Sequence, residues 1–212
     1  KAPSQVMRLA GLDFLNLKTH LLNNEKLLEL TEELLTDYRD TIVIGTIKIL
    51  QRRDGVAISN RLAKIVKDGS EGTEHAALIA LSWQKDRSLI PTLISASHLQ
   101  EDYTAGAATL ALATHTTLNT DVALRKTLKS ATRRLLWSVS VNATFGLATA
   151  PKEADATLFL TLMHHHSPAV RANATLASAR LGTRKSLPRM LEVVKNQRMF
   201  RTTLLRALYL YS

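Results

Sequence analysis

Apolar side chains recur along much of this chain every three or four residues, the spacing at which they share one face of an α-helix. The stretch SPAVRANATLASARLGTRKSLPRML, residues 167–191, shows the pattern best. Its first half predicts a helix that begins at Ser167 and Pro168, an N-cap followed by proline at the first helical position. Gly182 predicts the end of this helix, because glycine commonly lies just past a helix end. The predicted apolar stripe comprises Val170, Ala174, Ala177 and Leu181.

A second helix is predicted three or four residues later, with Pro188 in its first turn. Its predicted apolar stripe comprises Leu187, Leu191 and Val194. The same kind of start, DRSLIP from Asp86, occurs earlier in the chain. The structural unit that the sequence predicts is therefore a pair of short helices joined by a tight turn.

This helix pair is repeated at a nearly constant spacing. Four segments align at spacings of 31, 35 and 31 residues: AALIALS from Ala76, AATLALA from Ala107, NATFGLA from Asn142 and NATLASA from Asn173. Two weaker copies are IGTIKIL from Ile44 and TLLRALY from Thr203. One pair of about 30 residues cannot bury both of its apolar faces alone, whereas stacked copies can. The period predicts an all-α fold, an α-solenoid of about five to six stacked antiparallel helix pairs.

Composition agrees with this fold. Aromatic residues make up only 5% of the 212 residues, while alanine and leucine are plentiful, which favours closely packed helices over a sheet. Cysteine is absent, which excludes disulfides, thiolate nucleophiles and zinc–thiolate or iron–sulfur sites. No apolar run approaches the roughly 20 residues of a membrane span. The chain begins at Lys1 without a signal pattern, so we expect a processed product or a piece of a longer chain. The compartment stays open, with a cytoplasmic one slightly favoured.

Residues 167–191 resemble a HEAT repeat of the short kind found in phycobilin-lyase-type proteins. In that family a Pro-x-Val-Arg start, an alanine-rich first helix, a Leu-Gly turn and a late proline recur. The resemblance is weaker in residues 74–97, where Ser82, Trp83 and Gln84 replace the Leu-Gly turn, and looser near Thr104 and Val139. It implies a single right-handed HEAT-like domain over residues 1–212. Within it, residues 1–70 would be divergent helix pairs, 70–197 recognisable repeats and 198–212 a partial terminal repeat.

The same family includes iron-dependent hydroxylases, whose metal ligands are repeated His-Glu dipeptides, and chromophore lyases that act as partnered binding clefts. This sequence contains no His-Glu dipeptide, since Glu74 and His75 occur in the reverse order. The resemblance therefore implies no iron site, no cofactor and no catalytic residue. A lyase-like subunit of a partnered enzyme stays the least favoured alternative.

Three consecutive histidines, His164, His165 and His166, raise the question of a metal site. Ligands on a helix need a spacing of three or four residues, because adjacent side chains point about 100° apart. These histidines lie at a predicted helix end, where imidazoles can meet the last carbonyls and the negative end of the helix dipole. We expect a structural role and no metal held within one chain. A metal site completed by a second chain is the alternative.

Charge is distributed unevenly. From Asp121 to the end there are fifteen basic and four acidic residues, a net charge of +11, whereas the first 120 residues are close to neutral. The binding candidates lie on or beside second helices of adjacent copies: Arg125, Lys126, Lys129, Arg133, Arg134, Arg184, Lys185 and Arg189. Arg171 occupies the arginine position of the repeat motif, so we expect it to pack against neighbouring repeats.

Two binding functions explain this charge. In the first, the protein is a non-enzymatic protein–protein interaction scaffold whose basic concave face meets an acidic surface on another protein. In the second, the basic half follows the phosphate backbone of duplex nucleic acid. Single-strand binding is disfavoured by the lack of aromatic residues among the basic ones.

Two further features carry expectations about packing. Gly106 and Gly146 fall inside predicted first helices, where we expect them to allow a close approach of neighbouring helices. The C-terminal stretch MFRTTLLRALYLYS starts another first helix. Its apolar residues predict self-association, a contact with another subunit or continuation of the chain, unless the helix tucks against the preceding pair. These residues are Met199, Phe200, Leu204, Leu205, Leu208 and Tyr209.

Overall fold

A computed structural model describes residues 5–115 and 117–196 and the single positions Phe200, Thr202, Leu204, Leu205 and Tyr209. Over these residues the regular secondary structure is entirely helical, with no strand, which confirms the predicted all-α fold. No helix in this described part is long and apolar enough to cross a membrane.

The chain forms two compact units, residues 1–111 and 112–212, called here the N-terminal and the C-terminal unit. The helices that begin in the N-terminal unit are α1 (Gln5–Lys18), α2 (Asn24–Leu35), α3 (Asp40–Leu50), α4 (Val56–Asp68), α5 (Glu71–Leu81), α6 (Ile90–Ser97) and α7 (Asp102–Thr114). Those of the C-terminal unit are α8 (Val122–Ala131), α9 (Trp137–Thr149), α10 (Ala156–Leu162), α11 (Pro168–Arg180) and α12 (Leu187–Asn196). One 3-10 turn precedes each of three even-numbered helices: Arg87–Leu89 before α6, Glu153–Asp155 before α10 and Arg184–Ser186 before α12.

Five of the six repeated sequence segments fall in odd-numbered helices. IGTIKIL lies in α3, AATLALA in α7, NATFGLA in α9 and NATLASA in α11, while AALIALS covers the end of α5. The even-numbered helices are therefore the predicted second helices of each pair. Most of the TLLRALY copy lies outside the described residues.

The first helices pack on one another within each unit. In the N-terminal unit α1 contacts α3 and α3 contacts α5, while α2 contacts α4. In the C-terminal unit α9 contacts α11. Each of these odd-numbered helices except α1 also packs on the even-numbered helix before it, as α4 does with α5 and α8 with α9.

Small residues allow the first helices to approach closely. Gly146 is in the middle of α9, and a Cβ added to it would lie 2.5 Å from the Cβ of Ala113, a residue of α7 within the same unit. Ala143 in α9 and Ala174 and Ala177 in α11 are fully buried, and these two helices contact each other. The predicted packing role of Gly146 is confirmed.

Side chains in the N-terminal unit join turns that are one repeat period apart. Arg53 donates through Nη2 to the carbonyl oxygen of Leu22, and Gln84 donates through Nε2 to the carbonyl oxygen of Arg53 at 2.8 Å. Asn24 donates through Nδ2 to the carbonyl oxygen of Asp54 at 3.0 Å. Because the partners are 30 or 31 residues apart, each turn is hydrogen-bonded to the equivalent turn of the next copy.

Helix α11 begins and ends as its sequence predicts. Pro168 is its first residue, and Gly182 follows its end with a left-handed φ of 62°. The N–H of Gly182 donates to the carbonyl oxygen of Ala179 at 3.0 Å, and that of Thr183 to Ser178 at 3.3 Å, the two bonds of a Schellman motif. Val170, Ala174 and Ala177 are fully buried.

The stripe predicted for α12 is wrong. Met190 and Val193 are buried, whereas the predicted Leu191 is half-exposed. The reason lies in the 3-10 turn before the helix. Ser186 is buried there and its hydroxyl bonds to the carbonyl oxygen of Thr183 at 2.5 Å and to Sδ of Met190 at 3.1 Å. This contact turns the face formed by residues 186, 190 and 193 inward.

Candidate binding surface

Helix α8 carries three of the predicted binding residues. It begins after Asp121, whose Oδ1 accepts the N–H of Leu124 at 3.0 Å as an N-cap. Leu124 and Leu128 are fully buried and fix the rotation of the helix in the C-terminal unit. This rotation leaves Lys126 exposed and Lys129 half-buried.

Arg125 faces the interior, with only 7% of its side chain exposed. Its Nη2 is ion-paired with Asp155, in the 3-10 turn before α10, and its Nη1 donates to the carbonyl oxygen of Ala150 at 3.0 Å. Lys129 contacts the other carboxylate oxygen of Asp155. The expectation of an accessible Arg125 is wrong, because the side chain links α8 to the turn that leads into α10.

The ionisation of Asp155 supports this structural role. Burial by itself would raise the pKa of the carboxyl, but contacts with Lys129 and Arg125 and their positive charges bring the pKa below its ordinary value. The carboxylate therefore stays charged at neutral pH. Removing one cation of such a buried cluster leaves charge without compensation, which is strongly destabilising.

The exposed cations of this region lie on α8 and in the turn after it. Lys126 and Arg133 are exposed, and Arg134 is half-buried. Two large apolar side chains lie close by: Leu135 in the same turn is 91% exposed, and Trp137, the first residue of α9, is 58% exposed. The turn between α8 and α9 thus presents apolar and basic groups side by side, a combination that sequence analysis missed because Leu135 and Trp137 resemble core residues.

The other predicted cations lie at the start of α12. Arg184 and Lys185 are exposed in the 3-10 turn. Arg189 is half-buried, donates to the carbonyl oxygen of Met163 at 2.9 Å and pairs with Glu192 at 2.5 Å. The second helix between α8 and α12 is α10, ATLFLTL, which carries no basic residue. The two groups therefore belong to copies that are not adjacent, contrary to the expectation.

A further exposed cation, Lys152, lies close to α8. Its Nζ donates to the carbonyl oxygen of Asn119 at 2.7 Å. Together with Lys126 and Lys129, it lines a shallow cavity of about 370 Å³ between the start of α8 and the turn before α10. The spacing of 33 residues between Asn119 and Lys152, about one repeat period, is the sequence signal that could have found it.

The three histidines lie in the turn between α10 and α11. The Nδ1 of His165 accepts the N–H of Ser167 at 3.1 Å, and the rings of His165 and His166 are 4.1 Å apart. Arg171 donates through Nη1 to the carbonyl oxygens of His165 and His166 at 2.7 and 2.8 Å, a contact with the turn that joins its own helix pair to the preceding one. Within the described ranges no group of three His, Asp or Glu side chains is placed to hold a metal ion. The expectation that His164, His165 and His166 bind no metal within one chain stays a prediction.

At the C-terminus, Leu204 is fully buried, while Leu205 and Tyr209 are exposed. Phe200 is half-buried, and Met199 and Leu208 lie outside the described residues. Self-association and continuation of the chain through this segment stay predictions.

No model of a protein family matches the chain, and a search of curated proteins found no match.

Proposed function

We propose that the chain is a right-handed HEAT-like α-solenoid that serves as a non-enzymatic protein-binding scaffold. Three features support the solenoid. The repeated segments occupy the first helices, first helices contact one another within each unit, and side chains bridge turns that are about 30 residues apart. Each is expected when copies of one helix pair are stacked in register.

The partner in this proposal is a protein with an acidic surface, which binds to the C-terminal unit. The main observation behind this proposal is that Leu135 and Trp137 are exposed beside Arg133, where α8 is joined to α9. Tryptophan and arginine are the residue types that most often dominate the binding energy of protein interfaces, where an apolar anchor is surrounded by polar contacts. The exposed charges of Lys126 and Arg184 would guide the approach of an acidic partner.

Duplex nucleic acid is the second candidate, favoured by the net charge of +11 after Asp121. Contacts with phosphates need cations but have no use for an exposed Leu135. The two functions therefore differ in which side chains they require. A protein partner needs the apolar pair and the cations, and a duplex needs the cations alone.

Three variants test the proposal. The first replaces the exposed cations Lys126, Arg133 and Arg184 by Glu and leaves the buried Arg125 in place. The second replaces Leu135 and Trp137 by Ser. The third is a matched control, in which three exposed lysines of the N-terminal unit are replaced by Glu: Lys18, Lys64 and Lys67. All three variants should keep a melting temperature close to that of the wild type, because an ordinary surface substitution changes the free energy of unfolding by no more than about 0.5 kcal/mol.

The measurement is capture of proteins from native lysate treated with nuclease, alongside titration of a labelled DNA duplex at several salt concentrations. For a protein partner we expect capture to be lost in both the cation and the apolar variants and kept in the control. If duplex binding is lost only in the cation variant, and falls by about 0.9 log units per phosphate contact for each tenfold rise in salt, the nucleic-acid function replaces the scaffold.

A further inference from the structure

A cavity of about 710 Å³ lies in the N-terminal unit, where the ends of α3 and α5 meet. Its lining is formed by Lys48, Gln51, Arg52, Arg53, Asp54, Trp83 and Lys85. Four of these residues are basic and one is acidic. This cavity is therefore strongly positive, although the first 120 residues as a whole are close to neutral.

Trp83 gives the cavity a flat aromatic wall. It stands in the turn after α5, where SWQ replaces the Leu-Gly turn of the repeat motif, and it is 65% exposed. Its neighbour Gln84 is buried, accepting from the hydroxyl of Ser59 at 3.3 Å and donating to the carbonyl oxygen of Arg53 at 2.8 Å. These bonds anchor the turn from inside, so the indole is held at the surface by a fixed backbone.

The cations around the indole divide into anchored and available ones. Arg53 donates to the carbonyl oxygen of Leu22, and Arg52 donates through Nη1 to Oδ1 of Asn16 at 2.9 Å. Lys48 and Lys85 are exposed and form no ion pair within the described residues. Their ammonium groups are available to bind an anion.

We propose that this cavity binds a nucleotide, with the base stacked on Trp83 and the phosphates held by Lys48 and Lys85. Base stacking on an exposed aromatic ring combined with cationic contacts to phosphate is the chemistry by which single-stranded nucleotides are bound. Pockets for small ligands have volumes of about 300 to 1,000 Å³, and the volume of this cavity lies within that range. A simple acidic peptide would use the cations but would leave the indole without a partner.

Two sources supply this chemistry, a free nucleotide or a nucleotide within a single strand. The site lies in the N-terminal unit, whereas the proposed scaffold surface lies in the C-terminal unit. Either proposal can therefore fail without the other.

The two tryptophans of the chain, Trp83 and Trp137, give a direct measurement. In a Trp137→Phe background the indole fluorescence comes from Trp83 alone. We expect saturable quenching when ATP or a short single-stranded oligoadenylate is added at low salt. Adenosine and inorganic triphosphate, each of which carries half of the recognised chemistry, should bind far more weakly.

The variants separate a site from general attraction of anions. Lys48→Gln combined with Lys85→Gln should weaken binding about tenfold or more, while Lys18→Gln combined with Lys67→Gln removes the same charge elsewhere and should not. Trp83→Ala, followed with a fluorescent ATP analogue, should weaken binding by about fivefold or more, the loss expected for one stacked base. Tighter binding of ATP than of the oligonucleotide identifies a free nucleotide as the ligand, and the reverse order identifies a single strand. Absence of saturable quenching, or equal weakening by both lysine pairs, overturns the proposal.

Discussion

In the C-terminal unit a single side chain can fix the conformation of a turn through a hydrogen bond to the backbone, as His165 does in the turn before α11. Its Nδ1 accepts the N–H of Ser167 at the start of α11, where the side chain of Ser167 makes no capping bond of its own. Only a neutral imidazole can accept in this way. Burial lowers the pKa of His165, and the charges of His166 and Arg171 lower it further. Folding therefore favours the neutral form of this histidine.

We expect His165 to make the protein less stable in mild acid. Above about pH 6.5, the ordinary pKa of histidine, neither the folded nor the unfolded form binds the proton and the contribution is constant. As the pH falls below that value towards the lower pKa of folded His165, the unfolded chain takes up the proton first, which favours unfolding. His165→Asn keeps an acceptor and removes the titration, so it should flatten this part of the curve.

The measurement is the free energy of unfolding in urea at several pH values on both sides of about 6.5. His164→Asn is the matched control, because His164 is an exposed neighbour in the same turn. The control should keep the wild-type dependence. The same pH dependence in His165→Asn and the wild type would show that His165 does not contribute in this way.

The interior position of Arg125 could have been predicted, but charge alone pointed the other way. Asp121, Leu124 and Leu128 mark the inner face of α8 at helical spacing, and Arg125 lies on that face while Lys126 lies beside it towards solvent. Its partner Asp155 is 30 residues away, about one repeat period. The bond itself could not be predicted, because it depends on the 3-10 turn that buries Asp155.

Whole helices were predicted where their ends carry strong signals. Pro168 and Gly182 bound α11 as expected, since proline and glycine constrain the backbone locally. The inner face of α12 was missed, because the 3-10 turn before it shifts the helical register and the sequence pattern is compatible with either face. Packing between helices was predicted at Gly146, where one position needs a residue without a side chain.

Gly146→Ala should destabilise the protein although alanine is the better helix former. A Cβ at this position would lie 2.5 Å from the Cβ of Ala113 and 2.7 Å from its Cα, so α7 and α9 would have to move apart. Overpacking of this kind typically costs about 1–3 kcal/mol, more than the roughly 0.5–1 kcal/mol that alanine gains over glycine within a helix.

Gly11→Ala is the matched control for this prediction. Gly11 lies within α1, and a Cβ added there meets no atom within 4 Å. We expect this variant to be unchanged or slightly more stable. The free energy of unfolding in denaturant compares the two, and a stabilising Gly146→Ala would contradict the close contact between α7 and α9.

The division of the chain into two units coincides with a division of charge. Residues 112–120 carry no Lys, Arg, Asp or Glu, so the C-terminal unit holds the fifteen basic and four acidic residues that follow, a net +11. The other thirteen basic and fourteen acidic residues give the N-terminal unit a net −1. The change in charge is visible in the sequence but the boundary is not, because the boundary falls inside α7, where no change of composition marks it.

This asymmetry predicts that salt stabilises the two units unequally. Repulsion among like charges weakens a compact unit with a large net charge. A rise from about 0.01 M to about 0.1 M sodium chloride shortens the screening length from roughly 30 Å to roughly 10 Å. The melting temperature of the C-terminal unit should therefore rise with salt, and that of the nearly neutral N-terminal unit should change less.

The two tryptophans allow each unit to be followed in the full chain. In a Trp83→Phe variant the fluorescence of Trp137 reports on the C-terminal unit, and in a Trp137→Phe variant Trp83 reports on the N-terminal unit. Replacing Lys126, Arg133 and Arg184 by Gln removes three exposed charges of the C-terminal unit and should reduce its response to salt. The ion pair of Arg125 and Asp155 should oppose this response only weakly, since buried pairs are poorly screened. Equal responses at both tryptophans would mean that the excess positive charge of the C-terminal unit is not a source of instability.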